Sequence, residues 1–173
     1  HEIAGAQLTV IPYGSSWKYW ANSQANYPAN WHTTGFDDSA WPSGTGELGY
    51  GDGDESTCIP AASPVAGTLC TPTGNKWPAY YFRKVINIPD PAIYTNFSFN
   101  IDRDDGFVVY VNGVEVSRNN IAAGAVSYGT SATTAVEDGI ISFTVATSAF
   151  VSGNNTIAVE MHQASVSGSP PVS

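Results

Sequence analysis

Arg103-Asp104-Asp105-Gly106-Phe107-Val108-Val109-Tyr110-Val111-Asn112-Gly113-Val114-Glu115-Val116 is the stretch that decides the fold. It reads as an acidic tight turn, a β-strand, a two-residue turn and a second strand. Asn112 and Gly113 both tolerate positive φ, which a type I′ hairpin turn requires, and β-branched residues flank them on each side. Outward from this hairpin, Tyr80 to Ile88 has the aromatic and β-branched content of a strand and is ended by Pro89-Asp90-Pro91. Phe97 to Asp102 alternates apolar and polar residues, as a half-buried strand does. Leu8 to Tyr13, Ile140 to Val145 and Thr156 to His162 are the remaining predicted strands, the last preceded by the turn cluster Ser152-Gly153-Asn154-Asn155. Between them, residues 21–79 read mostly as loop, and a loop of that length inside a compact domain points to a functional or specially braced region. About seven or eight short strands with no convincing helix predict an all-β fold, an antiparallel β-sandwich or jelly roll.

Composition narrows the function. The chain has 173 residues, of which only 12% are charged, with a net charge of −9. One domain over residues 1–165 is expected, followed by a Ser/Gly/Pro tail or linker over 166–173. No Lys/Arg cluster is present to displace counterions, so nucleic acid is not an expected partner. No apolar run approaches the length that spans a bilayer, and membrane insertion is not expected either. Neutral glycans or divalent cations suit an acidic surface better. Cys58 and Cys70 are separated by a Pro/Gly/Ser/Thr loop, without the close pairing of metal or redox motifs. A disulfide pinning that loop is the expected state, which in turn implies secretion or surface display. No leader peptide is visible, so any such leader is expected to have been removed. The sequons Asn96-Phe97-Ser98 and Asn154-Asn155-Thr156 permit glycosylation in a host that glycosylates.

Several segments together resemble a known family. Phe36-Asp37-Asp38-Ser39-Ala40-Trp41 is similar to the short motif of galactose-binding-like jelly rolls, including sugar-binding domains attached to glycoside hydrolases. Leu48-Gly49-Tyr50-Gly51-Asp52-Gly53, Tyr81-Phe82-Arg83-Lys84, the Arg103 to Gly113 block and Asn155 to Gln163 match in the same order. The resemblance spans roughly residues 8 to 165 and implies a galactose-binding-domain-like jelly roll of secreted bacterial proteins. It specifies a fold rather than a ligand. Such modules continue past the His-Gln segment into a final strand, whereas here Ser169-Pro170-Pro171-Val172-Ser173 follows. That departure implies either a missing strand or one donated by a partner, with self-association at the open edge as the consequence.

The candidate sites lie in loops. Asp52, Asp54 and Glu55 offer closely spaced carboxylates on a glycine-rich segment, which is either a calcium site or a solvated turn. Arg103, Asp104 and Asp105 either bind calcium or sugar hydroxyls, or simply brace their own turn. Trp20, Trp31, Trp77 and Tyr80 sit in or beside the long loops, where aromatic faces can stack on sugar rings, while Trp17 and Trp41 are expected in the core. Glu160 and His162 share one strand face and could form an acid/base pair with Asp37 or Asp38; the family resemblance implies structural hydrogen bonding instead. His1 could chelate copper as in polysaccharide monooxygenases, with His32 or His162 completing the site. No nucleophile elbow or phosphate loop is readable. The expected function is therefore a non-catalytic, secreted carbohydrate-binding or adhesion module, with calcium as its candidate ion and a cell-surface polysaccharide as its partner. The alternatives are a structural or assembly domain (a surface or filament subunit, or a spacer beside an enzyme) and, as a minor one, the copper enzyme.

Overall fold

A computed structural model describes residues 7–49, 55–59, 76–136 and 139–166. Its strands are β1 (Ser16–Trp20), β2 (Ser43–Thr45), β3 (Leu48–Gly49), β4 (Thr57–Cys58), β5 (Ala79–Ile88), β6 (Phe97–Asp102), β7 (Gly106–Val111), β8 (Val114–Asn119), β9 (Ile140–Val145) and β10 (Gly153–His162). Among the described residues the only helical turns are three short 3₁₀ segments. One six-stranded antiparallel sheet has the order β2-β1-β5-β10-β7-β8, and β6 pairs antiparallel with β9 to form the second layer. The two-residue β3 and β4 pair in parallel. This is an all-β fold, an antiparallel jelly-roll β-sandwich of the expected class.

Two-residue periodicity builds the layers. From β7, Phe107 and Val109 turn inward with Val159 of β10 and pack against Phe99 of β6 and Phe143 of β9. Phe99 and Phe143 are directly paired and stack at 5.1 Å. Ile86, Ile88, Val111, Val145, Phe150 and Ile157 continue this interior toward the other end. The intervening residues of the same strands face outward and are covered by loops rather than by a sheet. Tyr81 and Ala158 pack there with Trp31, Trp41 and Tyr128.

The strand boundaries follow the sequence closely from β5 onward. The predicted strand Leu8 to Tyr13 does not form. Val10 and Ile11 instead lie half-buried against the inner core, and Pro12 accepts hydrogen bonds from the Ser15 amide and hydroxyl as the chain turns. Proline, lacking an amide proton, closes that segment to ladder pairing. The first strand comes from the aromatic segment that follows.

The hairpin turn has the expected geometry, with φ of 51° at Asn112 and 87° at Gly113. Asn112 also reaches beyond the turn. Its side-chain amide donates to Asn155 Oδ1 at 2.8 Å, and its oxygen accepts from the Thr156 amide at 2.9 Å. Asn155, fully buried, uses its complete hydrogen-bonding capacity: Oδ1 accepts from Asn112 and Val151, and Nδ2 donates to the carbonyls of Val151 and Gly153. Removing it leaves several buried groups unpaired. Asn155→Ala is therefore expected to lower stability by about 2–4 kcal/mol in urea denaturation, while Asn154→Ala next to it, which is exposed, stays within about 0.5 kcal/mol. Equal effects of the two substitutions would dismiss the tie.

Candidate functional site

The loop over the outer face is folded around one side chain. Arg83, on β5, is only 2% exposed. Its Nε donates to Asp38 Oδ2 at 2.8 Å, and Nη1 donates to the carbonyls of Trp31 and of Thr33, the latter at 3.0 Å. The guanidinium also lies over the Phe36 ring, 5.2 Å from its centroid. Asp37 accepts from the Ser39 amide at 2.9 Å, a bond that holds its carboxyl below the usual carboxylate range, and the Trp41 amide donates to the Asp38 carbonyl. The Phe36 to Trp41 motif is thus a local turn whose two aspartates have separate tasks. One shapes the turn, and the other neutralises a buried cation.

Loop 21–41 and loop 120–136 close over an aromatic cluster. Trp20 meets Tyr81 and Tyr128 edge-on at 5.5 and 6.2 Å, and Tyr27 lies over Tyr81 and Tyr128 at 5.6 and 6.3 Å. Gly106 allows the second loop to approach, since a Cβ there would stand 2.9 Å from Ile121 Cδ1 and 3.0 Å from the Asn120 carbonyl. At the centre is Glu160, 3% exposed. Tyr110 donates its hydroxyl to Glu160 Oε1 at 2.5 Å. His162 places Nε2 at 3.1 Å from Glu160 Oε2, without hydrogen-bond alignment, and Nδ1 at 2.8 Å from the Thr130 carbonyl. Because a carbonyl only accepts, Nδ1 carries the proton. Three buried polar atoms on this side of the sheet have no hydrogen-bond partner: Tyr81 Oη, His162 Nε2 and Trp77 Nε1, the last on a side chain packed against the same cluster.

The tryptophans expected to bind ligand divide here. Trp31 is 1% exposed, its ring enclosed by Tyr81 at 4.7 Å and Tyr110 at 5.7 Å, so it is a core residue and offers no face to a sugar. Trp41 is core, as expected, and Trp17 lies half-buried against the inner core. Trp20 is half-buried, braced on one side by the cluster, and lines a recess of about 400 Å³ with Tyr19, Asn22, Trp41 and Pro42. Trp77 is also half-buried.

The remaining expected residues do not line that recess. Tyr80 is buried and its hydroxyl accepts from the Trp77 amide at 3.1 Å, so its ring is not a binding platform. Asp105, 6% exposed, accepts from the Val136 amide at 2.6 Å and the Ala164 amide at 2.8 Å with its two oxygens. Arg103 donates to the Asp105 carbonyl at 2.6 Å, and Asp104 stands 3.9 Å from Lys76 Nζ. Asp105 is consequently a brace between three segments rather than a ligand group. The Arg103 to Asp105 turn is tied to loop 120–136 through the Val136 amide and to the chain just past the end of β10 through the Ala164 amide, and none of its residues lines the recess beside Trp20.

Glu55 is half-buried, while Asp52 and Asp54 lie outside the described residues, as do Cys70, its expected pairing with Cys58, and His1. His32 stacks on Tyr110 at 4.8 Å, and His162 is fully buried. Asp38 is bound to Arg83 and Asp37 to the Ser39 amide, so the acid/base pair that Glu160 and His162 could have formed with either aspartate does not occur. Tyr27, Tyr81, Tyr110 and Tyr128 went unassigned in the sequence. Glu160 and His162, whose alternation places them on one face, were the only legible sign of this cluster.

No protein-family model and no curated protein matches the sequence. Solved structures do match. A β-glucuronidase of Bacteroides uniformis superposes with a TM-score of 0.53 at 16% identity, covering 92% of this chain and 15% of that one. A β-glucuronidase from glycoside hydrolase family 2 gives 0.50 at 16% identity, covering 87% and 13%. The Ruminococcus gnavus β-glucuronidase, solved with D-glucuronic acid, gives 0.50 at 11% identity, covering 87% and 21%. The likeness is one of fold, and this chain spans about a fifth or less of each of those enzymes' lengths.

The phenols set an alkaline limit on the fold. Burial, followed by the nearby Glu160 charge, raises Tyr27 and Tyr81 above the ordinary value of 10.0. Burial and donation to Glu160 do the same for Tyr110, and burial alone for Tyr128. The folded chain keeps protons that the unfolded chain releases above pH 10, so this contribution is complete below that pH and is lost as the pH climbs past it. Denaturation at stepped pH is expected to show a plateau and then a decline above about pH 10, with these tyrosinates absorbing only as the chain unfolds. Their ionisation in a still-folded chain would contradict the buried cluster.

Proposed function

We propose that this chain is a non-catalytic carbohydrate-binding module, with Trp20 as the platform on which a sugar ring stacks. The observation that carries the reading is the condition of that indole: half-buried, held by edge contacts with Tyr81 and Tyr128, and facing a recess. A ring already fixed in place loses little conformational freedom when a sugar stacks on it. The likeness of fold to domains within β-glucuronidases supports the same direction, with the chain serving beside a larger enzyme or at a cell surface. Glycan-array screening followed by titration calorimetry tests it. Binding to at least one polysaccharide is expected, weakened about tenfold or more in Trp20→Ala and little changed in Ile93→Ala, an exposed residue outside the recess. Absence of binding to every glycan would remove the proposal.

Self-association is the second reading. It rests on the second layer, where β6 and β9 pair only with each other among the described residues. Strand donation would cover an edge of that layer. Light scattering after size exclusion is expected to show a concentration-dependent dimer; a strict monomer at high concentration rejects it.

A further inference from the structure

The three unpartnered atoms on the outer side of the sheet have no part in stacking a sugar on Trp20, and they call for an explanation of their own. Tyr81 is fully buried, yet its hydroxyl has no hydrogen-bond partner. Buried hydroxyls almost always have one, and leaving one unpaired costs free energy. The register of the sheet places Tyr81 opposite Glu160, and Ala79 opposite His162. Small side chains at Ala79 and Ala158 leave the floor of this face low between the rings. Tyr27, 37% exposed, is the ring that covers Tyr81 from the solvent side, and it stands at the end of a single 3₁₀ turn, Gln24–Asn26.

We infer that Tyr81 Oη, Glu160 and Trp77 Nε1 form the hydrogen-bonding floor of the same sugar site, reached when the Tyr27 ring moves aside, and that this floor selects a neutral sugar over a carboxylated one. The inference rests on the carbohydrate-binding reading above and adds its polar contacts and ligand class. The complement of groups is the one a sugar diol needs. A carboxylate accepts from hydroxyls, an indole N–H donates to them, and a phenol does either. Charge decides the class. Among the described residues the cations on this face are already engaged, Arg83 with Asp38, Lys18 with the Trp41 carbonyl and Arg118 with Glu115, and the imidazole beside Glu160 is already in contact with it. A uronate entering would bring a second carboxylate beside Glu160 in a poorly solvated site.

Tyr81→Phe separates this role from a structural one. It removes only the hydroxyl, which has no partner, so the denaturation midpoint is expected to stay where it is or rise. Affinity for neutral gluco-, galacto- or manno-oligosaccharides is expected to fall about tenfold. Tyr27→Ala is expected to speed association with the same oligosaccharides, and sodium glucuronate is expected to bind at least about tenfold more weakly than they do. Neutral-sugar binding that is abolished in Trp20→Ala but unchanged in Tyr81→Phe overturns the floor and leaves the module's function standing. Tighter binding of glucuronate than of neutral oligosaccharides overturns the ligand class. Slower association in Tyr27→Ala overturns the covering role of that ring. Failure of the native chain to bind any of these sugars removes this inference together with the function on which it rests.

Discussion

The buried guanidinium of Arg83 is the constraint on which the outer half of this molecule depends. A cation removed from water is tolerated only with charge and hydrogen bonds arranged around it, and here both come from loop 31–38. The loop therefore cannot leave the sheet without exposing an unpaired charge to a poorly solvated environment. Trp31 is carried inward by the same attachment, because its own carbonyl is one of the acceptors. Once Trp31 is seated between Tyr81 and Tyr110, the rings of Trp20, Tyr27 and Tyr128 pack around it. The aromatic cluster is thus organised by an electrostatic requirement as much as by apolar burial.

The two faces of the six-stranded sheet obey different physics. Inward-facing residues from β5, β7 and β10 meet the phenylalanines of β6 and β9 in an ordinary sheet-on-sheet core. Among the described residues, the outward-facing ones meet no second sheet. Loops cover them, and loops bring carbonyls and amides that must be satisfied, so polar side chains are drawn into the layer. Glu160, His162 and Arg83 are buried for that reason, each engaged with loop backbone or with a phenol. The Arg103 to Asp105 turn solves the same problem at the strand ends. There one carboxylate caps two amides, from segments more than thirty residues away on one side and nearly sixty on the other.

Similarity to domains within β-glucuronidases establishes how such a sandwich is built, not what it holds. Fold and ligand separate readily. The proposed reading therefore rests on the geometry of Trp20, Tyr81 and Glu160 and not on the ligands of those enzymes. A carboxylate already occupies the centre of the cluster.

The sequence by itself determined the strands from β5 onward and the faces of their residues. Asn112-Gly113 specified a turn because only residues tolerant of positive φ fit it, and the alternation in Phe97 to Asp102 matched its pairing with β9 without correction. Even the placement of Glu160 and His162 on one face was legible, since a period of two follows from strand geometry alone. Leu8 to Tyr13 misled because apolar residues beside a proline can be buried without pairing. Only the tertiary structure decided which aromatics are walls and which are core: Trp20, at the end of β1, and Trp31, in the loop that follows, are the same residue type, yet one lines a recess and the other is enclosed. That difference comes from Arg83, fifty-two residues beyond Trp31, drawing one loop down onto the sheet. Local patterning carries no record of so distant a contact, because a buried charge chooses its partners by proximity in the folded chain and not along it.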